Sequence, residues 1–176
     1  MKTQKSIKSN KAGDLVADVV VIGGGAGLAA AIAAAEKGMK VIVLERLKNV
    51  GGNAAMAVGF LAAESPVQQR LKIKATKEYL FKASMDSSRW LTDPRIVKAY
   101  IDKSGDTVRW LEDMGLSFTD IPFCYHNQFP RIYHVITGHG AKLIDTMQKK
   151  CEELGVDIMC ETAGKKIVTG EKGRVA

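Results

Sequence analysis

The chain has 176 residues, 46% of them hydrophobic and 26% charged, with a formal net charge of +7. That length and balance fit one globular domain, or one domain with part of a second, and exclude a disordered tail. The positive charge does not indicate nucleic acid. Lys2, Lys5, Lys8 and Lys11 lie in a polar leader, and Arg70, Lys72, Lys74, Lys77 and Lys82 lie in one connecting region. The leader has no aromatic side chain on which a base could stack, and the connecting region has only Tyr79 and Phe81 near its end. A solvated face, or a field that attracts a dianionic ligand, is the expected use of the charge.

Residues 1–16 read as a flexible leader without the apolar core of a secretion signal. The β-branched run 17–22 predicts a strand buried on both faces, ending at a glycine turn, residues 23–27. Leu28 to Lys37 is an alanine-rich helix former, closed by Gly38 in the left-handed conformation. Met39 to Glu45 predicts a second buried strand. Strand, turn, helix and strand make a βαβ unit with parallel strands and a right-handed crossover. We take 17–60 as a dinucleotide-binding unit. Its apolar stretch from Val19 to Ala35 is interrupted by glycines and is not a membrane span.

Residues 61–135 form a helical insertion or connector. Residues 67–90 look helical, with Pro66 at the start. Asp93-Pro94 opens a helix with a capping carboxylate and a proline at the first helical position. Val97, Tyr100, Ile101, Val108 and Leu111 recur at helical spacing, Gly105 is placed to bend the helix, and Gly115 ends it. Residues 119–139 have no periodicity and hold His126, His134 and His139. Residues 136–176 complete part of the first domain. A helix carries Leu143, Ile144, Met147, Cys151 and Leu154 and stops at Gly155. A strand follows at Val156 to Cys160, then two hairpin arms, Lys165 to Val168 and Arg174 to Ala176, around Gly170 and Gly173. A three-residue arm is poor edge chemistry for a finished domain, so the chain reads as cut. The expected fold is α/β: a Rossmann-like domain with a parallel sheet and a β-hairpin crossover, plus an incomplete helical segment.

A dinucleotide site needs glycines for a tight exit from the strand, for close approach of the pyrophosphate, and for helix–strand packing. Gly23 and Gly25 match this spacing, but the third position is Leu28 and the nearest glycine, Gly27, comes one residue early. The flanking strand and helix strengthen the reading, as does Glu45, 22 residues after Gly23, where a carboxylate meets ribose hydroxyls. A nucleotide-free turn and a solvated strand end are the alternatives. The unit itself does not choose between FAD and NAD. Gly51-Gly52-Asn53 favours the longer ligand, with Asn53 donating to a phosphate or ribitol oxygen; a plain turn is the other reading, and an NAD-dependent dehydrogenase the alternative function.

Cys124, Cys151 and Cys160 form no Cys-x-x-Cys pair, so no metal site is expected. Cys151 and Cys160 read as small buried hydrophobes in a reducing, cytoplasmic setting. The three histidines and Arg131 share one irregular segment and offer an anion-binding patch or an acid/base set. Structural hydrogen bonding is the alternative for each.

The segment DVVVIGGGAGLAAAIAAAEKGMKVIVLERLKNVGGNAAMAVG resembles the N-terminus of the fumarate reductase/succinate dehydrogenase flavoprotein family, nearest its soluble flavocytochrome c-like and urocanate reductase-like branch. DPRIVKAYIDKSGDTVRWLEDMGLSF, TGHG at 137–140 and LGVDIMCETAGKKIV extend the resemblance over nearly all of 17–176. The resemblance implies that Gly23, Gly24, Gly25, Ala26 and Gly27 contact the pyrophosphate. It implies that Glu45 binds the adenosine ribose beside Arg46, and that Gly51, Gly52, Asn53 and Ala54 line the rest of the dinucleotide. Gly59 would allow close approach near the flavin, and Thr162 and Ala163 would lie near the adenine. Two departures carry consequences. The family turn usually has one more residue between Gly25 and Ala26. Asn53 stands where some members attach FAD through a histidine, so noncovalent FAD is expected.

Family members run to several hundred residues, and their substrate-clamping arginines and histidines have no counterpart here, so catalytic residues stay unassigned. The implied parent reaction is hydride transfer from flavin N5 to an unsaturated carboxylate such as fumarate. The 176 residues would be a module of that enzyme, inactive alone, or a non-catalytic cofactor-binding or structural fragment. Apolar surface left uncovered would favour self-association.

Overall fold

The computed structural model describes residues 15–121, 131–170, 173 and 175. Most of the leader, Cys124, His126, and Arg174 and Ala176 of the last expected arm lie outside the described residues. In chain order the elements are β1 (Val19–Ile22), α1 (Gly27–Ala35), β2 (Val41–Leu44), β3 (Gly59–Leu61), α2 (Pro66–Arg70), α3 (Lys77–Ser87), α4 (Pro94–Asp113), β4 (Phe118–Asp120), β5 (Tyr133–Ile136), α5 (His139–Glu153) and β6 (Asp157–Met159). A short 3-10 helix covers Gly52–Met56. The chain divides into two compact units, Met1–Ala55 with Met147–Ala176, and Met56–Thr146. Among the described residues no helix is long and apolar enough to cross a membrane.

The first unit is built on a parallel sheet in the order β1-β2-β6. Val19 pairs with Val41 and Ile22 with Leu44, while Ile42 pairs with Asp157 and Leu44 with Met159. β2 is buried through Val41, Ile42 and Val43. β1 departs from the expectation of two buried faces: Val20 is 54% exposed and Ile22 61%. β2 lies between two strands, whereas β1 ends the sheet among the described residues. The alanines of α1 let it press onto the sheet, with Leu28, Ala31 and Ile32 fully buried. Gly38 (φ +81°) ends the helical segment as expected and donates its N–H to Ala35 O at 2.9 Å. Cys151 of α5 is fully buried, and burial, with Glu152 beside it, pushes its thiol up to about 11. It behaves as a small apolar side chain. Beyond β6 the expected hairpin arms do not form a ladder among the described residues. One antiparallel bridge, Thr169 to Val175, joins them.

The second unit combines helices with strands. It contains an antiparallel sheet in the order β3-β5-β4, with Gly59 opposite Val135 and Leu61 opposite Tyr133. Strands of three or four residues are too short to display alternation, and their partners lie far apart in sequence. Residues 67–90 form two helices. Ser65 caps α2 in a reciprocal capping box with Gln68, and Thr76 caps α3. Lys72, at φ +55°, turns the chain between them. Asp93 caps α4 as the sequence predicts, its side chain accepting from Arg95 N. α4 continues through Gly105 as a single helix. A Cβ there would meet Ala63 O at 2.8 Å, so the glycine serves close packing of α4 on that backbone. Leu80, Ile101, Ala63, Ala75 and Ile132 form one core cluster of this unit.

Candidate functional site

The carboxyl ends of β1 and β2 open onto a cavity of about 550 Å³, lined by residues 22–26, 44–47, 51–54, 163 and 164. This is where ligands sit on parallel α/β sheets. The glycine turn leaves β1 with Gly23 N donating to Leu44 O at 2.8 Å. Gly23 adopts φ +97° with open space where a Cβ would point, so the turn needs its missing side chain for conformation rather than room. Gly51 N donates to Gly24 O at 2.9 Å, which joins the two glycine loops directly. A Cβ on Gly25 would stand 3.2 Å from Gly51 O.

Glu45 fastens the same loops from below. Its Oε2 accepts from Gly24 N at 2.7 Å and its Oε1 from Leu47 N at 2.9 Å. The N–H of Gly24, then that of Leu47, holds the carboxyl below the usual glutamate range against the opposing effect of burial, with Arg46 beside it adding to the shift. Thr162 N donates to Glu45 O at 2.8 Å, and Glu161 N to Leu47 O at 3.0 Å. The segment after β6 is thereby tied to the cavity rim.

α1 begins at Gly27, and its N-cap, Ala26, has no side-chain cap; the first turn carries no acidic residue. Among the described residues the N–H groups of Gly25, Ala26 and Gly27 have no acceptor. An uncapped helix start with free N–H groups beside a cavity has the donor chemistry that suits an anion such as a pyrophosphate.

Gly23, Gly24, Gly25, Ala26, Glu45, Arg46, Gly51, Gly52, Asn53, Ala54 and Ala163 therefore line one cavity. Gly27 sits behind it, where a Cβ would lie 2.6 Å from Val21 Cγ1. It performs the helix–strand packing that the usual spacing gives to the next residue, here Leu28. Thr162 borders the cavity through its bond to Glu45. Gly59 belongs to the second unit, where a Cβ would stand 2.0 Å from His134 O. Close pairing of β3 with β5 demands the glycine there. Sequence reasoning missed Ile22, Leu44, Leu47 and Gly164 in the lining. The position of Ile22 and Leu44 at strand carboxyl ends was the available signal.

Among the described residues, His134 and His139 do not join this site. His134 is fully buried in the second unit, with Nε2 2.6 Å from Ser65 Oγ and Nδ1 3.0 Å from Ile132 O. Its ring stacks on Phe60 and meets Phe118 edge-on. Desolvation lowers its pKa, so it takes the structural hydrogen-bonding role rather than that of an anion-binding group. His139 is exposed at the start of α5 with φ +58°.

Comparison with known proteins agrees with this geometry. Residues 18–176 match the family described as FAD binding domain. A vinyl phenol reductase of Lactiplantibacillus plantarum is 33% identical over 82% of this chain and 29% of its own length. A fumarate reductase (cytochrome) of Shewanella frigidimarina is 33% identical over 90% of this chain and 28% of its own. Among solved structures, the open conformation of a flavocytochrome c3 fumarate reductase superposes with a TM-score of 0.81 at 26% identity, covering 90% of this chain and 29% of that one. The chain thus spans under a third of the length of these relatives. Its two glycine loops, free helix start and buried glutamate are those of a dinucleotide site, and with the family match they establish that the chain belongs to the FAD-binding domain family, alongside the fumarate reductase flavoproteins and related flavoenzymes.

Proposed function

We propose that the chain is the FAD-binding part of a flavin-dependent reductase that acts on an unsaturated carboxylate of the fumarate type, and that it holds FAD noncovalently. The observation that carries the reading is the cavity that Gly25 and Ala26, whose N–H groups are free, line together with Glu45 and the Gly51-Gly52 loop. In this reading those N–H groups hold the pyrophosphate. Each oxygen of Glu45 accepts one backbone N–H and keeps a lone pair for a ribose hydroxyl. Asn53 offers amide donors to a phosphate or ribitol oxygen, and Thr162 and Ala163 border the adenine end. Bound flavin supplies hydride chemistry at N5.

Among the described residues no histidine, cysteine or tyrosine lines the cavity, which supports noncovalent attachment. The substrate class comes from the relatives, which include reductases of fumarate and vinyl phenol and an acrylate reductase flavoprotein subunit from Shewanella woodyi. Substrate-holding cations and the proton donor are assigned to none of this chain's residues. Self-association through exposed apolar residues of the first unit, Val20, Ile22, Ile167 and Val168, is part of the proposal. So is a reducing, cytoplasmic setting, consistent with Cys151 as a buried free thiol.

The test is to add excess FAD to the purified chain, desalt it, record the flavin absorbance, and then denature in acid. Flavin that stays through desalting and leaves on denaturation is the expected result. A chain that retains no flavin overturns the binding reading, and flavin that remains on the denatured polypeptide overturns the noncovalent one. Sedimentation of the same sample at rising concentration checks self-association, and a monomer throughout removes it.

A further inference from the structure

We infer that Val50 is a positioning residue of the cofactor site: its isopropyl group is the wedge that sets the spacing between the glycine turn and the Gly51-Gly52 loop. The inference rests on the FAD-binding reading and deepens it. Val50 does not line the cavity, and it is only 9% exposed. A Cβ on Gly24 would stand 2.5 Å from Val50 Cγ1 and 2.8 Å from Val50 Cβ, closer than real Cβ atoms approach. Gly24 is therefore glycine to admit Val50. That differs from Gly23 and Gly52, where a Cβ would meet nothing within 4 Å.

The contact sits where two hydrogen bonds converge on the same residue. Gly24 N is held by Glu45 Oε2 at 2.7 Å, and Gly24 O by Gly51 N at 2.9 Å. Hydrogen bonds orient the Gly24 backbone but resist compression weakly, whereas packed carbon resists it steeply. With the Val50 side chain in place, the Gly24 backbone cannot sink toward the second loop. The free N–H groups of Gly25 and Ala26 follow directly in the chain, so their aim into the cavity depends on that stop. The wedge acts on ligand geometry through Gly24, and a pocket held in its bound shape binds more tightly than one that must be ordered.

The experiment measures FAD affinity by flavin fluorescence on the full 176-residue chain, at a temperature where circular dichroism shows every variant folded without ligand. Val50→Ala is expected to weaken FAD about tenfold, and Val50→Ile, which keeps both branches at Cβ, to stay within about twofold of the parent. Gly24→Ala is expected to weaken binding by more than about tenfold, and the pair Gly24→Ala with Val50→Gly to recover much of that loss, because the new methyl enters the vacated space. Parental affinity in Val50→Ala overturns the wedge, as does a set of variants in which only melting temperature moves. Penalties that simply add in the double variant overturn it too. If the parent chain itself takes up no FAD, the functional reading has failed. The wedge is then judged by the same cycle in ligand-free melting, where additive penalties again overturn it.

Discussion

Two glycines and one buried polar group from each unit are used in opposite ways. In the first, Gly23 and Gly52 have positive φ and open space at the Cβ position, and the buried carboxylate of Glu45 faces a cavity. In the second, Gly59 and Gly105 are enclosed by backbone carbonyls, and the buried ring of His134 has both nitrogens occupied by Ser65 and Ile132. A residue type therefore indicates function only through what surrounds it. Gly23 and Gly52 are kept for conformation beside the cavity, and Gly59 and Gly105 are kept for close packing. A polar group with spare lone pairs at a cavity binds, and one with its partners complete supports a core.

Replacing the enclosed glycine should produce the largest effect. In Gly59→Ala the new methyl would meet His134 O at 2.0 Å, and backbone cannot swing aside as a side chain does. A loss of about 3 kcal/mol or more of unfolding free energy is expected, the upper end of the overpacking range. Gly52→Ala, with open space but φ +48°, should cost only about 1–2 kcal/mol. Urea unfolding of both variants measures the contrast, and equal losses would break it.

Glu45→Ala comes next. It leaves the N–H groups of Gly24 and Leu47 without their acceptor in a largely buried place, at a cost of about 1–3 kcal/mol. It also removes the proposed ribose acceptor, so FAD affinity should fall by more than stability alone explains. Calorimetric titration checks this; unchanged FAD affinity would take Glu45 out of the site. Glu45→Gln keeps one oxygen acceptor and should fall between the parent and the alanine variant.

How much of this was legible in the sequence follows the same division. β1, the glycine turn, α1 and β2 were readable because a contiguous βαβ unit states its hydrophobic runs and its punctuation side by side. Asp93-Pro94 announced α4 through a local cap. Eleven of the anticipated positions do line one cavity, because strand ends and glycines carry position with them. β3, β4 and β5 were invisible, since their pairing joins residue 59 to residue 135 and no local pattern marks it. The irregular neighbourhood of His134 left both an acid/base or anion-binding role and structural hydrogen bonding open. Only the sheet places it between Phe60 and Phe118. Val50 carries no motif at all, and its contact with Gly24 appears only when the two loops meet.

Acid separates the two buried groups by window. His134 is held below its ordinary value by desolvation, so the unfolded chain takes up the proton first. Stability should begin to fall as pH drops below about 6.5 and go on falling until the folded ring protonates. Glu45 is held below the ordinary glutamate range by its two N–H partners. Its contribution is complete above about 4.3 and is lost as pH falls through the depressed folded value. Melting temperature against pH should therefore lose its slope near pH 6 in His134→Gln and its slope below about pH 4.3 in Glu45→Gln. A Glu45→Gln profile that matches the parent would remove Glu45 as the second acid-sensitive group.

The smallest effect should come from the surface. Arg70 meets Glu112 through two nitrogens, at 3.2 and 2.5 Å, yet the arginine side chain is 59% exposed. Water screens the attraction and holding two long side chains in one geometry costs entropy, so such pairs contribute little. Arg70→Ala should change unfolding free energy by about 0.5 kcal/mol or less. The contrast with His134 is the point of the measurement: in the same unit, ideal geometry at the surface should matter less than a completed polar group in the core. A loss from Arg70→Ala comparable with that from His134→Gln would mean that charge pairing, and not the enclosed core, holds the second unit together.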